Sequence, residues 1–307
     1  MNKIGIPTAL IVSAGRTGTK FFGDRLARLI PDCHSVHEPD VLAGLEYPVW
    51  PRLRDFGFYH MVVGRVLGRT GIRNLSLRYL SGKMTADEAI EAVIRHRAVY
   101  YASLGAPMVV EAYTGWFGLL PVLPAAFDRL RVVVIYRDPR EWVRSIMNWG
   151  TLYGPRDWVG MLGLGRLVPD TIGDRTTAAR WKTMSRFEKV CWAWTAINRT
   201  LADGASNLQD CLICRYEDLF EEQNEELQRR LLAFVTDFGE LRFSYDFNAR
   251  EFGERVHGSN PGFPSWQQWN DEYVAALQRH CGEVMGQLGY GNEPQWRERL
   301  SQSGISG

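Results

Sequence analysis

A short loop near the N-terminus of this 307-residue chain has the residue types of an anion cradle. The loop lies between an apolar run and a helical pattern, and it consists of Gly15, Arg16, Thr17, Gly18, Thr19 and Lys20. Its backbone N–H groups, hydroxyl groups and two cationic side chains can all bind an anion. The loop lacks the Gly-Lys-Ser/Thr ending of a triphosphate-binding loop. It is therefore a candidate site for another anion, although tight strand-to-helix packing alone would also explain its glycines.

A second candidate anion site lies in the segment RVVVIYRDPREWVRS. Arg137 comes directly after an apolar strand, and Ser145 lies about two turns into the helix that Asp138 or Pro139 begins. The two side chains can then reach one anion from two directions. The structural alternative is an arginine that caps the edge of the sheet and a serine on an unimportant helix face.

A third segment, CLICRYEDL, places Tyr216 at a strand end, where its ring can lie beside an aromatic base. Glu217 and Asp218 equally fit the first turn of the next helix, because acidic side chains interact favourably with the helix dipole there. The same segment contains Cys211 and Cys214, which we interpret as core residues because no second cysteine pair completes a zinc site.

These residues require a scaffold that brings distant strand ends together. Continuous apolar runs alternate with helical patterns, which predicts an α/β fold with a parallel sheet covered on both faces. The predicted strands are 8–13, 107–112, 131–136 and 211–216, and the predicted helices include 21–30 and about 140–150, 178–204, 222–238 and 271–288. Ligands of such sheets bind outside the carboxyl ends of the strands, where the three segments above begin.

The simplest organisation is a single domain spanning 1–307, with a mainly helical insertion at about 41–105 that could cover the site. The net charge of +1 argues against a nucleic-acid partner. Of 36 basic residues 31 are arginine, which suits anion binding but also fits a simple compositional bias. The first strand begins near Thr8, and no apolar stretch is long enough for a membrane span, so we expect a cytoplasmic protein.

Taken together and in this order, the three segments resemble the PAPS-dependent sulfotransferases. GRTGTK looks like the 5′-phosphosulfate loop of that family, and YRDPREWVRS is similar to its 3′-phosphate motif. RYEDL resembles the segment whose tyrosine lies by the adenine, and CGEVMGQLGY resembles the closing helix. The resemblance covers about residues 8 to 220, whereas the insertion 41–105 and the tail after Tyr290 match no motif of the family.

The resemblance implies a P-loop NTPase-like sulfotransferase fold, with PAPS as the sulfuryl donor, PAP as the product and no metal. It places the 5′-phosphosulfate on the loop from Gly15 to Lys20, the 3′-phosphate on Arg137 and Ser145, and the base beside Tyr216. Arg16 would stabilise charge on the leaving phosphate. The acceptor would be a hydroxyl, or less readily an amine, of a carbohydrate, lipid or natural product.

The sequence alone does not decide which residue is the catalytic base. Glu38 lies at about the position where some branches of the family use an acidic residue, and we favour it over Glu111, which ends a strand. His37 would orient Glu38 or cap a turn. Arg255 lies in a Gly/Pro-rich loop, 250–270, that resembles in position the family's closing loop, and it is a further candidate phosphate contact.

Two other functions are compatible with the sequence. The first is a P-loop kinase or NTPase, which needs a Gly-Lys-Ser/Thr loop and a carboxylate on a strand for magnesium. The loop lacks the former, and Arg137 stands where that carboxylate would help. The second is a PAP-binding module that has lost turnover.

Overall fold

The computed structural model describes residues 2–41, 49–150, 152–154, 157, 165–253 and 262–305. Within these ranges the chain forms one five-stranded sheet, in which all pairings are parallel. Its strands are β1 (Thr8–Ser13), β2 (Cys33–His37), β3 (Met108–Ala112), β4 (Leu130–Tyr136) and β5 (Cys211–Arg215). The order across the sheet is β2-β3-β1-β4-β5.

The helices follow the strands and are numbered in chain order. They are α1 (Thr19–Leu29), α2 (Val49–Phe58), α3 (Gly64–Val66), α4 (Ile72–Leu80), α5 (Ala86–Ser103), α6 (Leu123–Ala126), α7 (Pro139–Trp149), α8 (Arg175–Arg180), α9 (Arg186–Ala205), α10 (Tyr216–Phe220), α11 (Glu225–Thr236), α12 (Ala249–Gly253), α13 (Asp271–Gln287) and α14 (Pro294–Gln302). A π-helical segment, Tyr59–Val63, joins α2 to α3. The described part of region 41–105 thus lies largely in helices.

Both faces of the sheet are covered, as the apolar strands predicted. Alternate residues of β1 point to opposite faces, so Leu10 packs in one hydrophobic cluster and Ile11 in the other. The first cluster includes residues of α5, α9 and α13, and the second includes residues of α1 and α11. The predicted α/β architecture with a central parallel sheet is confirmed.

Strand β2 is absent from the sequence-based prediction. Three of its five residues, CHSVH, are polar, and four of the five are only half-buried. The strand lies at the edge of the sheet and pairs only with β3. An edge strand can be partly polar, so β2 lacked the continuous apolar run that identified the other four strands.

The order of the strands creates a switch point between β1 and β4. From β1 the chain crosses to β2 on one side, whereas from β4 it crosses to β5 on the other side. The loops that leave these two neighbouring strands therefore diverge at their carboxyl ends. In open parallel sheets a crevice at such a point is the usual ligand site.

Candidate functional site

The loop after β1 has an unusual backbone. Gly15, Arg16 and Gly18 have φ values of 84°, 56° and 77°, which lie in the left-handed region. A Cβ atom at Gly18 would come within 2.7 Å of the Phe220 ring, so this position requires glycine for space as well as conformation. Arg16 adopts the same left-handed backbone conformation although its side chain makes that conformation unfavourable. Such backbone strain is concentrated at functional sites.

Side chains from neighbouring elements hold this loop in place. The Ser13 hydroxyl at the end of β1 accepts hydrogen bonds from the Gly15 amide at 3.1 Å and the Thr17 hydroxyl at 2.5 Å. Trp142 of α7 donates through Nε1 to the Gly15 carbonyl at 2.8 Å. The loop is thus fixed by its own strand and by the helix after β4. Sequence reasoning missed Ser13 and Trp142; only Ser13, the polar residue ending an apolar run, offered a signal.

The first and second sequence segments meet in one place. The Arg16 side chain donates through Nε to the Ser145 hydroxyl at 2.9 Å, across 129 residues of sequence. Arg137 donates through Nη1 to the Arg16 carbonyl at 2.5 Å. Asp138 caps α7 by accepting from the amide of Arg140, which starts the helix so that Ser145 lies on its buried side.

The electrostatics of this meeting point favour an anion. Burial and the neighbouring Arg137 guanidinium lower the pKa of Arg16. Within the described ranges no acidic side chain forms an ion pair with either arginine, and the buried Nε of Arg137 has no hydrogen-bond partner there. Two adjacent guanidinium groups without a carboxylate, one with an unused donor, are the donor set of a phosphate or sulfate site.

Tyr216 lies beside this cationic pair. It is the first residue of α10, directly after β5, and the guanidinium carbon of Arg137 lies 4.2 Å from the centre of its ring. Glu217 is engaged elsewhere, because it accepts hydrogen bonds from the Asp138 amide at 2.9 Å and from the Tyr290 hydroxyl at 2.7 Å. Burial raises the pKa of Glu217. This carboxyl therefore ties the start of α10 to the start of α7.

Glu38 follows β2 in a left-handed conformation with a φ of 41° and is half-buried. Its carboxylate oxygen Oε1 accepts a hydrogen bond from the Thr114 hydroxyl at 3.0 Å. Arg73 of α4 donates to the same hydroxyl at 3.3 Å. A Cβ atom at Gly15 would lie 3.2 Å from the Thr114 methyl group, so Thr114 adjoins both Glu38 and the loop after β1. No pattern in the sequence indicated that Thr114 and Arg73 lie beside Glu38.

His37 contacts α1. Its Nε2 atom lies 3.3 Å from the Thr19 hydroxyl, and a Cβ atom at Gly23 would come within 2.4 Å of the His37 Cβ atom. Burial lowers the pKa of this histidine. The contact with the first residue of α1 places His37 beside the loop after β1.

Glu111 is completely buried and has four hydrogen-bond donors around it. Arg97 donates through Nε at 2.7 Å and through Nη2 at 2.8 Å, Tyr101 donates its hydroxyl at 2.7 Å, and Trp116 donates Nε1 at 3.0 Å. Arg97, also fully buried, donates in addition to the Asp40 carboxylate at 3.2 Å. The carboxylate of Glu111 is thus engaged within the core, joining α5 to β3.

The remaining candidates are placed as follows. Lys20 lies in the first turn of α1 and is half-buried. Arg255 lies outside the described residues. Over the described part of the chain, no group of three or more His, Cys, Asp or Glu side chains is arranged to hold a metal ion. Nor does any helix there combine the length and apolarity needed to cross a membrane.

Comparison with known proteins yields structural neighbours. No protein-family model matches the chain, and no curated protein matches it. The sulfotransferase domain of the Synechococcus PCC 7002 olefin synthase is similar with a TM-score of 0.47 and 16% identity, covering 94% of this chain and 96% of that chain. The Mycobacterium avium sulfotransferase STF9 gives a TM-score of 0.46 and 12% identity, covering 94% and 78%. A sulfotransferase from Alicyclobacillus acidocaldarius gives 0.43 and 14%, covering 95% and 98%. All three neighbours are named as sulfotransferases.

Proposed function

We propose that this protein is a sulfotransferase that moves the sulfuryl group of PAPS to a hydroxyl group of an acceptor. The observation that carries the proposal is the meeting of Arg16, Arg137 and Ser145. The hydrogen bond from Arg16 to Ser145 and the one from Arg137 to the Arg16 carbonyl unite the two anion motifs. PAPS carries a 5′-phosphosulfate and a 3′-phosphate, so a two-part cationic site whose arginines pair with no carboxylate among the described residues fits this donor.

The proposed donor complex uses residues already in contact. The amides of the loop from Gly15 to Thr19 and the N-terminus of α1 would bind the 5′-phosphosulfate, with Lys20 adding charge. Arg137 and Ser145 would bind the 3′-phosphate. The Tyr216 ring, next to the Arg137 guanidinium, supplies an apolar surface for the adenine.

The proposed reaction is an in-line displacement at sulfur. An acceptor oxygen attacks the sulfur atom, and the bond from sulfur to the bridging oxygen of the 5′-phosphate breaks. The electron pair of that bond stays on the phosphate of PAP, where Arg16 stabilises the developing charge. The proton of the acceptor hydroxyl passes to the Glu38 carboxylate, and the sulfate ester is released.

The choice of Glu38 as base is supported by what surrounds the two candidate carboxylates. Glu38 is half-buried, accepts a hydrogen bond from the Thr114 hydroxyl, and adjoins the loop after β1 through that residue. Glu111 is fully buried and accepts four hydrogen bonds. A general base needs access to the acceptor proton, which favours Glu38.

Calorimetric titration separates this proposal from the two alternatives. We expect PAP to bind more tightly than AMP, since AMP lacks the 3′-phosphate, and more tightly than ATP with magnesium. Tight binding of magnesium-ATP without binding of PAP would instead indicate a kinase or NTPase. A second step incubates the protein with PAPS carrying labelled sulfate and with panels of carbohydrate, lipid and phenolic hydroxyls. Binding of PAP with no transfer to any panel would support the binding module without turnover.

A further inference from the structure

Thr114 links the proposed base to an arginine. Its hydroxyl donates to Glu38 Oε1 at 3.0 Å and accepts from Arg73 Nη2 at 3.3 Å. The direction of both hydrogen bonds follows from chemistry, because a guanidinium group can only donate and an ionised carboxylate can only accept. The single proton of the Thr114 hydroxyl is therefore directed at Glu38. Thr114 is buried, so water has little access to this hydroxyl.

The two carboxylate oxygens of Glu38 are consequently different. Oε1 accepts from the Thr114 hydroxyl. Within the described ranges no donor of the protein lies at hydrogen-bonding distance from Oε2, and Oε2 is not among the buried polar atoms that lack a partner. This second oxygen can therefore be reached by a ligand, whereas the first is held by the protein.

The helix that carries Arg73 is fixed against the segment that carries Thr114. Ser76 of α4 donates its hydroxyl to the Gly115 carbonyl. A Cβ atom at Gly115 would come within 2.9 Å of the Arg73 backbone nitrogen, so the two segments approach each other at backbone distance and this position requires glycine. The close approach leaves Arg73 little freedom to move away from the Thr114 hydroxyl.

The turn that carries Glu38 is joined to the same helix. The Asp40 carboxylate, which is fully buried, accepts from the Ile72 amide at 3.2 Å and so fixes the start of α4 one residue before Arg73. The turn and α4 are thus connected both at Asp40 and through Thr114. This double connection opposes relaxation of the left-handed backbone at Glu38, where φ is 41°.

Arg73 differs from the other arginine that faces this region from the insertion. Arg97 is fully buried and forms ion pairs with Asp40 at 3.2 Å and with Glu111 at 2.7 Å. Arg73 is half-buried, and in the part of the chain that the structure describes its side chain donates to the Thr114 hydroxyl and forms no ion pair. A structural ion pair therefore does not explain its position, and removing it leaves no buried carboxylate unpaired.

We propose that Thr114 and Arg73 are positioning residues, which hold Glu38 Oε1 so that Oε2 takes the proton of the acceptor. The inference rests on the proposed function, since it requires Glu38 to be the base. Arg73 polarises the Thr114 hydroxyl and keeps its proton directed at Oε1. When the acceptor oxygen attacks sulfur, its O–H bond breaks and the proton binds Oε2, giving a neutral carboxyl group. Neither Thr114 nor Arg73 gains or loses a proton in this step.

Two variants of Thr114 test the role of the hydroxyl. Thr114→Val keeps the shape of the side chain and should lower kcat by about 10- to 100-fold, the effect of losing a hydrogen bond to a charged group. PAP affinity should stay within about twofold, since the donor site is intact. Thr114→Ser keeps the hydroxyl and should restore most of kcat. Equal loss of kcat and PAP affinity in Thr114→Val, with no rescue by serine, would overturn the positioning role.

A double-mutant cycle tests whether Arg73 acts through Thr114. Arg73→Met removes the donors and should lower kcat by about three- to tenfold, whereas Arg78→Met, at another half-buried arginine of α4, should change it little. In the Thr114→Val background Arg73→Met should cause no further loss. Losses that multiply and that raise the KM of a negatively charged acceptor would show that Arg73 binds the acceptor directly, which would overturn its positioning role. Circular dichroism melting of each variant establishes that it is folded.

Carbon-13 NMR of protein with labelled glutamate carboxyl groups tests the hydrogen bond without turnover. The Glu38 signal is identified by its absence in Glu38→Gln. It should move in Thr114→Val, move less in Arg73→Met, and keep its position in Thr114→Ser. An unchanged signal in Thr114→Val would overturn the inference. The expected shifts in a protein that transfers no sulfate to any acceptor panel would support the orienting contact and assign the failure to the proposed function.

Discussion

Arg16 and Ser145 are joined by a hydrogen bond of 2.9 Å from the guanidinium Nε to the hydroxyl Oγ, although 129 residues separate them. The contact links the loop after β1 to the second turn of α7. It places the proposed leaving-group stabiliser next to the proposed 3′-phosphate ligand. Variants of these two residues should therefore affect different steps of one proposed reaction.

Ser145→Ala should weaken PAP binding by about tenfold or more, because a hydrogen bond to a charged group is removed. AMP lacks the 3′-phosphate, so its affinity should change little. Titration calorimetry with both nucleotides measures the difference. Ser206→Ala, at an exposed serine that donates within the end of α9, is the control. Equal losses for PAP and AMP would contradict the assignment of Ser145 to the 3′-phosphate.

Arg16→Ala should lower the rate of sulfuryl transfer by on the order of 10²–10³, the effect of losing one preorganised donor. Arg16→Lys should restore part of the rate, since it keeps the charge. Steady-state kinetics with PAPS gives kcat, and Arg28→Ala, at an exposed position near the end of α1, is the control. A kcat within a few-fold of the natural value for Arg16→Ala would show that another group stabilises the leaving phosphate.

Glu38→Gln should reduce kcat by about 10²–10⁴ while PAP affinity stays the same, because an amide cannot accept the acceptor's proton. Glutamine still accepts the hydrogen bond from Thr114, so the backbone turn should persist. Kinetics and calorimetry on the same preparation separate the two quantities. A nearly normal turnover would exclude Glu38 as the base.

Glu111→Gln should destabilise the fold. Replacing the carboxylate leaves the fully buried Arg97 guanidinium with a weaker partner, and breaking a buried ion pair costs about 3–5 kcal/mol. We expect a lower midpoint of thermal unfolding, with PAP still bound below that temperature. A variant that keeps the natural melting temperature and loses turnover would instead make Glu111 the catalytic carboxylate.

His96 gives the fold a predictable response to acid. Burial, followed by the neighbouring His60 and Arg97, lowers the pKa of His96 to about 3. In the unfolded chain its pKa is about 6.5, so between these values the unfolded state binds more protons. Stability therefore falls as pH decreases through this window, with a slope from this group of up to about 1.4 kcal/mol per pH unit.

His96→Asn should flatten that dependence. Urea unfolding of both proteins at several values between about pH 7 and pH 5 gives the two slopes, and their difference isolates the histidine from the many carboxyl groups. Parallel curves for the two proteins would mean that the folded state accommodates a protonated His96.

The sequence was sufficient to predict the central strands and to place Arg137 and the loop after β1 at the same edge of the sheet. Both follow from local patterns, because buried parallel strands are continuous apolar runs and their carboxyl ends lie along one edge. The position of Ser145 about two turns into α7 followed from helical spacing. These predictions needed no knowledge of which distant residues touch.

The features that were not predicted depend on which distant residues touch. Strand β2 is half-polar because it lies at an edge, and only its pairing with β3 defines it. In the sequence alone, Glu38 and Glu111 are two glutamates that no local pattern distinguishes. They differ because Arg97, 14 residues before Glu111, lies opposite it in the core, whereas Glu38 accepts a hydrogen bond from Thr114, which in turn accepts one from Arg73. Pairings between separate elements are set by packing, for which a local pattern gives no signal.

The parallel pairing of β1 with β4 has a consequence for the order in which the protein acquires its site during synthesis. Arg137 holds the Arg16 carbonyl across 121 residues, so this contact forms only after a long stretch of chain has been closed into a loop. Closing such a loop costs entropy before any contact offsets it, and sheets built in this way form slowly. A nascent chain that ends before β4 carries the complete loop after β1 but only half of the proposed anion site.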